Sequence, residues 1–286
     1  MIAKLAQVTV RPATLEDIQS LANLVHFEAH VHRHLDWRPP LDWVGYHPYL
    51  LAEQNGEIIA ALACPPDPPG MAWIRLFAVA TDIGIRLTWG ELWSAALNHF
   101  IASGPSLSVA AIPLHGWFRT LLEESDFEQT HNVVVLSWKQ GAPAQLGARS
   151  GSRIRKMELA DLSQVEVVDR AAFDLVWQNS RDNLEIAFRQ AAVATVAEEA
   201  GEVIGYQIST AAPMGGHLAR LAVKPQNQSR GVGQALVADL LAQFERRGAQ
   251  VVTVNTQEDN LSSLALYRKA GFNRTGEEYP VYQYTT

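Results

Sequence analysis

Gly231 and Gly233 stand between an alternating apolar run and a helical apolar stripe, and their placement is the clearest chemical signal in the chain. The chemistry it suggests is anion binding. The N–H groups of a first helical turn have no acceptor four residues back, and the positive end of the helix dipole points at the same spot. Over Gln228-Ser229-Arg230-Gly231-Val232-Gly233-Gln234, the two glycines would let a phosphate oxygen approach the backbone with no Cβ in the way. A Walker loop is excluded, because Gln234 and Ala235 follow Gly233 where Lys and then Ser or Thr are required. The dinucleotide pattern needs a third glycine that is absent. On these residues alone, a tight strand-to-helix turn holding no ligand is an equally good reading.

The elements flanking the loop can be read directly. Leu218 to Val223 alternate as a strand and are closed by Pro225, which has no N–H to continue a ladder. From Val232 the apolar positions Leu236, Val237, Leu240, Leu241 and Phe244 make one helix face, and Arg246, Arg247 and Gly248 supply a cationic last turn and a stop. A second strand then ends near Asn255. The following helix carries Asn260 and Tyr267, before Lys269, Gly271 and Phe272.

The pattern Gln/Arg-x-x-Gly-x-Gly/Ala between such a strand and helix, matched by Gln228, Gly231 and Gly233, resembles the acetyl-CoA pyrophosphate loop of the GNAT superfamily of N-acetyltransferases. The Asn260-to-Tyr267 spacing is also similar to that family's. The resemblance implies that main-chain groups of Leu221, Ala222 and Val223 hold the pantetheine arm of acetyl-CoA like an added strand. It also implies that Ser229, Arg230, Gly231, Val232, Gly233 and Gln234 hold the pyrophosphate, and that Asn260 meets the pantetheine. Tyr267 would be the catalytic acid that protonates the departing thiolate, a sensible match of phenol to leaving thiol. A core tyrosine on an amphipathic helix is the bland alternative for Tyr267.

An internal repeat organises the whole chain. Asp17 falls against Asp161, Gly56 against Gly201, Val79 against Val223 and Phe127 against Phe272, always 144 or 145 positions apart. We therefore expect an α/β (α+β) protein of two tandem GNAT-like domains, each a mixed, mostly antiparallel sheet flanked by helices. The expected bounds are 1–140 for a degenerate copy, 141–152 for a Gly/Ala/Ser/Pro-rich linker and 153–286 for the catalytic copy. The first copy has lost the equipment: Leu122 stands where Tyr267 would, His115 where Asn260 would, and about Thr88 where Gly231 would. Gly90 alone survives, at an expected helix start that leaves weak CoA binding open.

Composition narrows the class further. A net charge of −7 argues against a nucleic-acid footprint and against a basic membrane-surface helix. The single cysteine, Cys64, rules out an intrachain disulfide framework and any multi-cysteine zinc site. With no signal-peptide core and no apolar run of membrane-spanning length, a cytoplasmic protein is expected. Histidines gather in the first half, and His26, His30 and His34 recur at every fourth position, which would line one face of a helix. We expect that face to be a helix surface turned to the other half, in an interdomain cleft, rather than a metal site, and we expect no metal.

The expected activity is transfer of acetyl from acetyl-CoA to a small-molecule or peptide amine by direct attack in a ternary complex. Alternatives are a noncatalytic CoA-binding module or a transferase using another acyl-CoA. In the superfamily's ribosomal-protein N-terminal acetyltransferases, a Glu base stands five residues before the Asn, a place held here by Asn255. Glu198, His217 and Glu258 are the candidates left for a water-relayed base. Phe173, Trp177, Tyr279 and Tyr282, with Asp174 or Glu278, could wall an acceptor pocket; a core helix face and an alternating strand explain them equally well.

Overall fold

The repeat seen in the sequence is carried into the backbone. The structure, a computed structural model, describes residues 8–104, 106–142, 151–212 and 215–286; positions 143–150 of the expected linker lie outside the described residues. The chain divides into two compact units, Met1–Thr130 with Pro280–Thr286, and His131–Tyr279.

The first half runs β1 (Thr9–Pro12), α1 (Ile18–Phe27), β2 (His30–Arg33), β3 (Tyr49–Gln54), β4 (Glu57–Ala63), β5 (Met71–Trp73), β6 (Leu76–Val79), α2 (Ile85–Ser103), β7 (Ser108–Ala111), α3 (Gly116–Glu123) and β8 (Glu128–Lys139). The second half runs β9 (Arg153–Lys156), α4 (Leu162–Ala172), α5 (Arg181–Gln190), β10 (Val193–Glu199), β11 (Glu202–Ala212), β12 (Gly215–Val223), α6 (Val232–Arg246), β13 (Val251–Gln257), α7 (Leu261–Lys269) and β14 (Asn273–Thr285). The chain passes from the first unit into the second within β8 and returns within β14.

In the first unit the strands pair in the order β1-β3-β4-β6-β2, while β7 is flanked by β5 and by the last residues of β14. In the second unit the order is β14-β8-β13-β12-β11-β10-β9. The five-stranded sheet of the first unit is antiparallel and the sheet of the second unit is mixed but mostly antiparallel, both flanked by helices, which is the α/β (α+β) class expected.

Local chemistry fixes the copies alike. The β3–β4 and β10–β11 hairpins turn through Asn55-Gly56 and Ala200-Gly201, all four residues at positive φ, the turn whose twist suits a two-residue hairpin. Arg11 bridges Asp17 and Glu53 in one copy, and Arg155 bridges Asp161 and Glu198 in the other.

The second unit's sheet is covered on both faces. Leu236, Val237, Leu240, Leu241 and Phe244 of α6 are buried against one face, as the helical stripe predicts. Gly216 is required there, because a Cβ would come within 2.4 Å of the Phe244 ring. On the other face Val165 and Val168 of α4 are fully buried. In the first unit the aromatic wealth goes into the core: Phe77, Trp89, Trp93, Phe100 and Phe118 share one cluster.

The expected helix through His26, His30 and His34 is not formed. The α1 helix ends at Phe27, Glu28 is extended, and His30 to Arg33 run as β2. The histidines also alternate at His30, His32 and His34, a period of two that suits a strand, and tertiary pairing with β6 selects it. Cys64 is fully buried and burial pushes its thiol pKa up, the opposite of activation. Among the described residues no helix is long and apolar enough to cross a membrane.

Candidate active site

The site is an opening between two parallel strands. Pairing of β12 with β13 runs from Gly215↔Val251 to Leu218↔Val254 and stops. Beyond that apex β12 continues to Val223 beside β11, while β13 continues to Gln257 beside β8. A bulge lies between the Ile208↔Arg220 and Ser209↔Leu218 pairs, so Ala219 is the extra residue. Two consequences follow. Leu218 faces the α6 side before the bulge and Leu221 faces it after, while Arg220 turns to the α4 side. Because Lys224 N–H bonds Ile204 on the β11 side, strand alternation points the main-chain groups of Leu221 and Val223 into the opening.

The glycine loop closes the wide end. Gly231 is left-handed at φ 81° and caps α6, and Ser229 is left-handed at φ 59°. The first internal bond of α6 is Ala235 N–H to Gly231, leaving the preceding N–H groups directed out of the helix end. Gln228 Nε2 donates to the Val223 carbonyl at 3.0 Å and ties the loop to the strand. Val232 packs inward; Gly233 lies against α7, where a Cβ would meet Leu266 at 3.2 Å. The Arg230 guanidinium, expected to add charge for a pyrophosphate, is paired with Glu199 at 2.7 Å.

Asn260 caps α7, its Oδ1 accepting from Ser263 N–H at 3.1 Å and its Nδ2 donating to Gln257 at 3.3 Å. Tyr267, two helical turns further along, belongs to the buried cluster that includes Leu218, Val254 and Phe272, with its ring 5.7 Å from that of Phe272. Burial pushes its phenol pKa up.

The opposite face of the apex carries polar groups. His217 Nδ1 lies 2.9 Å from Thr253 Oγ1, and burial lowers the imidazole pKa from 6.5, so the ring is neutral at pH 7. Nearby in the strand, Arg220 reaches Asp169 of α4, which is wholly buried. Arg220 also donates to the Trp177 carbonyl at 2.5 Å, and its guanidinium lies 3.7 Å from the Phe173 ring centre. Tyr206 donates to the same Asp169 carboxylate, and Asn179 N–H binds its other oxygen at 2.9 Å. Burial opposes the Arg220 charge, Asp169 and Tyr206 together more than offset this, and the guanidinium pKa rises.

This network was not expected from sequence. Its readable signals are a lone Arg inside an apolar strand and a lone Asp on the buried side of an amphipathic helix. The residues suggested for an acceptor wall fall in both units. Phe173 and Trp177 stand together at Arg220, and Trp177 also meets the His131 ring at 5.6 Å. Tyr282 belongs to the first unit, where its hydroxyl donates to Glu123 at 2.6 Å. Asp174 is exposed; Glu278 accepts from Asn132 at 3.1 Å. Among the described residues no three His, Cys, Asp or Glu side chains converge as metal ligands do.

A splayed parallel strand pair closed by a glycine loop at a helix start is the cradle of a GNAT-fold acyltransferase. Residues 157–272, all within the second unit, match the model of the acetyltransferase (GNAT) family, and this match supports an acyltransferase. Its relatives include the spore coat polysaccharide biosynthesis protein SpsD of Bacillus subtilis, 33% identical over 38% of this chain. That alignment spans only 37% of the relative's length. A mycothiol acetyltransferase of an Arthrobacter species is 25% identical over 92% of this chain and 73% of its own. Among solved structures, a tandem GNAT protein from the clavulanic acid biosynthesis pathway shares the fold with a TM-score of 0.66, at 13% identity and 98% coverage of both chains.

Proposed function

We propose that the second unit transfers acetyl from acetyl-CoA to an amine acceptor by direct attack in a ternary complex, in the cytoplasm. The observation that carries this reading is the end of β12–β13 pairing at Leu218↔Val254 beside a left-handed glycine at a helix start. An extended pantetheine fits as an added strand on the main-chain groups of Leu221 and Val223. The Ser229–Gln234 loop would hold the pyrophosphate. Asn260 would meet the pantetheine from the start of α7.

The chemistry needs a base for the amine, donors for charge developing on the thioester oxygen, and an acid for sulfur. The bulged backbone near Leu221 supplies donors, and Tyr267 supplies the acid. For the base, Glu198 is committed to Arg155, as Glu53 is to Arg11 in the other copy. Glu258 is exposed, and its hydrogen bonds from Asn132 and Arg274 hold its pKa down, which weakens it as a base. His217 is neutral, sits at the apex on the face carrying Phe173 and Trp177, and has Nδ1 engaged, leaving Nε2 to accept a proton directly or through water. The amine nitrogen then bonds to the acyl carbon as the C–S bond breaks. Its proton passes to His217, and the Tyr267 proton to the thiolate.

The likeness to a mycothiol acetyltransferase along most of the chain supports screening small-molecule amines first. Steady-state kinetics with a turned-over amine should give intersecting double-reciprocal lines; parallel lines would replace direct attack with an acyl-enzyme. Replacing Gly231 by Val, a β-branched residue at φ 81°, should weaken acetyl-CoA binding about 10-fold or more by calorimetry. Unchanged affinity would remove the loop from the site. His217→Gln should abolish the acidic limb of the kcat/KM profile, which in the parent chain falls below pH 6.5 because burial lowers this pKa. A limb that survives the substitution would assign the base elsewhere.

A further inference from the structure

In the first unit, the place matching the acyl-CoA slot is filled by the chain itself. By the repeat, β5 and β6 together match β12, and β7 matches β13. The early part behaves alike in both copies: Met71 to Trp73 pair in parallel with Ser108 to Ala110, as Gly215 to Leu218 do with β13. The later part does not. Phe77, Ala78 and Val79 match Leu221, Ala222 and Val223, yet β2 pairs antiparallel along that edge from His30↔Val79 to Arg33↔Leu76. His34 N–H adds a bond to the Arg75 carbonyl at 3.0 Å. In the second unit the matching segment, Leu175–Trp177, makes a short 3-10 turn instead of a strand, and its last carbonyl accepts from the Arg220 side chain.

The plug is fitted through its side chains as well. His32 is buried, lies 3.1 Å from the Ile74 carbonyl through Nε2, and stacks on Phe118 at 4.0 Å; His34 stacks on Trp73 at 4.6 Å; His30 meets Trp117 edge-on at 5.4 Å. Phe118 and Trp117 belong to α3, the match of α7. Burial lowers the pKa of His32 to about 4, so a neutral ring fills the space. Just ahead of β2, the Glu28 carboxylate accepts from Thr81 N–H at 2.7 Å and from its hydroxyl at 2.6 Å, placing an anion on the loop that follows β6. Gly90 does not open a helix there as expected: it lies inside α2, past its first turn.

We propose that β2 is a built-in occupant of the first unit's pantetheine slot, with Glu28 an anion on the adjoining loop, so that each chain binds one acyl-CoA, in the second unit alone. The number of sites rests on the function proposed above; the plug itself does not. The test combines calorimetric titration of acetyl-CoA into the full chain with hydrogen exchange read by mass spectrometry. One site, removed by Gly231→Val, is expected. Amides of residues 76–79 should exchange slowly without ligand and stay unchanged with it, while those of 219–223 should exchange faster and gain protection on binding. Two sites, or protection gained at 76–79, would overturn the proposal. Absence of any binding would refute the acetyl-CoA reading of the second unit. Even then, slow exchange at 76–79 in the free chain would support the plug, and fast exchange there would sink it.

Discussion

Tyr267→Phe should lower kcat about 100-fold or more while leaving acetyl-CoA affinity nearly unchanged. The substitution removes one oxygen and keeps the ring, which is packed in a cluster with Leu218, Val254 and Phe272 and 5.7 Å from the Phe272 ring. Folding is therefore expected to be spared. Burial raises the phenol pKa, so the proton is held at neutral pH until a thiolate forms next to it. The readout is a split between kcat and acetyl-CoA Kd, measured on one preparation. Equal turnover by the two proteins would leave Tyr267 a core residue on an amphipathic helix.

The second large effect concerns stability. Removing Asp169 leaves the Arg220 guanidinium and the Tyr206 hydroxyl buried without their shared acceptor. Breaking one partner of a buried ion pair costs about 3–5 kcal/mol. Asp169→Ala should accordingly lower Tm by roughly 10 °C for a unit of this size. Replacing Asp169 by Leu and Arg220 by Met together should cost less than Asp169→Ala alone, since no buried charge is then stranded. A double variant as unstable as the single one would mean that the ion pair is not what holds Phe173, Trp177 and Asn179 against β12. In either variant the wall beside the apex loosens, so acceptor KM should rise more than acetyl-CoA Kd.

The parts of this site that were legible in sequence are those whose chemistry is local. A glycine forced to positive φ, a strand closed by Pro225 and a helix stripe from Val232 each leave a mark within a few positions of one another. The fold class was legible because the chain states it twice, down to the Arg-Asp-Glu ion pairs repeated in each copy. What could not be read depends on pairing over distance. Asp169 and Arg220 are 51 residues apart, and nothing near either one specifies the other. The bulge at Ala219 shifts the alternation of its strand by one residue and leaves no mark in the sequence, so the turn of Arg220 toward α4 is invisible until β11 is in register. The histidines of this stretch satisfy a helical period at His26, His30 and His34 and an extended one at His30, His32 and His34, and only the free edge of β6 decides between them.

The two crossings within β8 and β14 bear on how such a chain can be cut. By the repeat β8 matches β14, so each copy's last strand ends in the unit built mainly by the other copy. Val134, Leu136 and Trp138 sit in the core of the second unit, and Tyr282 sits in that of the first. Two repeats that exchange their last strands in this way follow the topology of a domain swap. A gene fragment trimmed at the repeat boundary would expose the edge that a borrowed strand had covered.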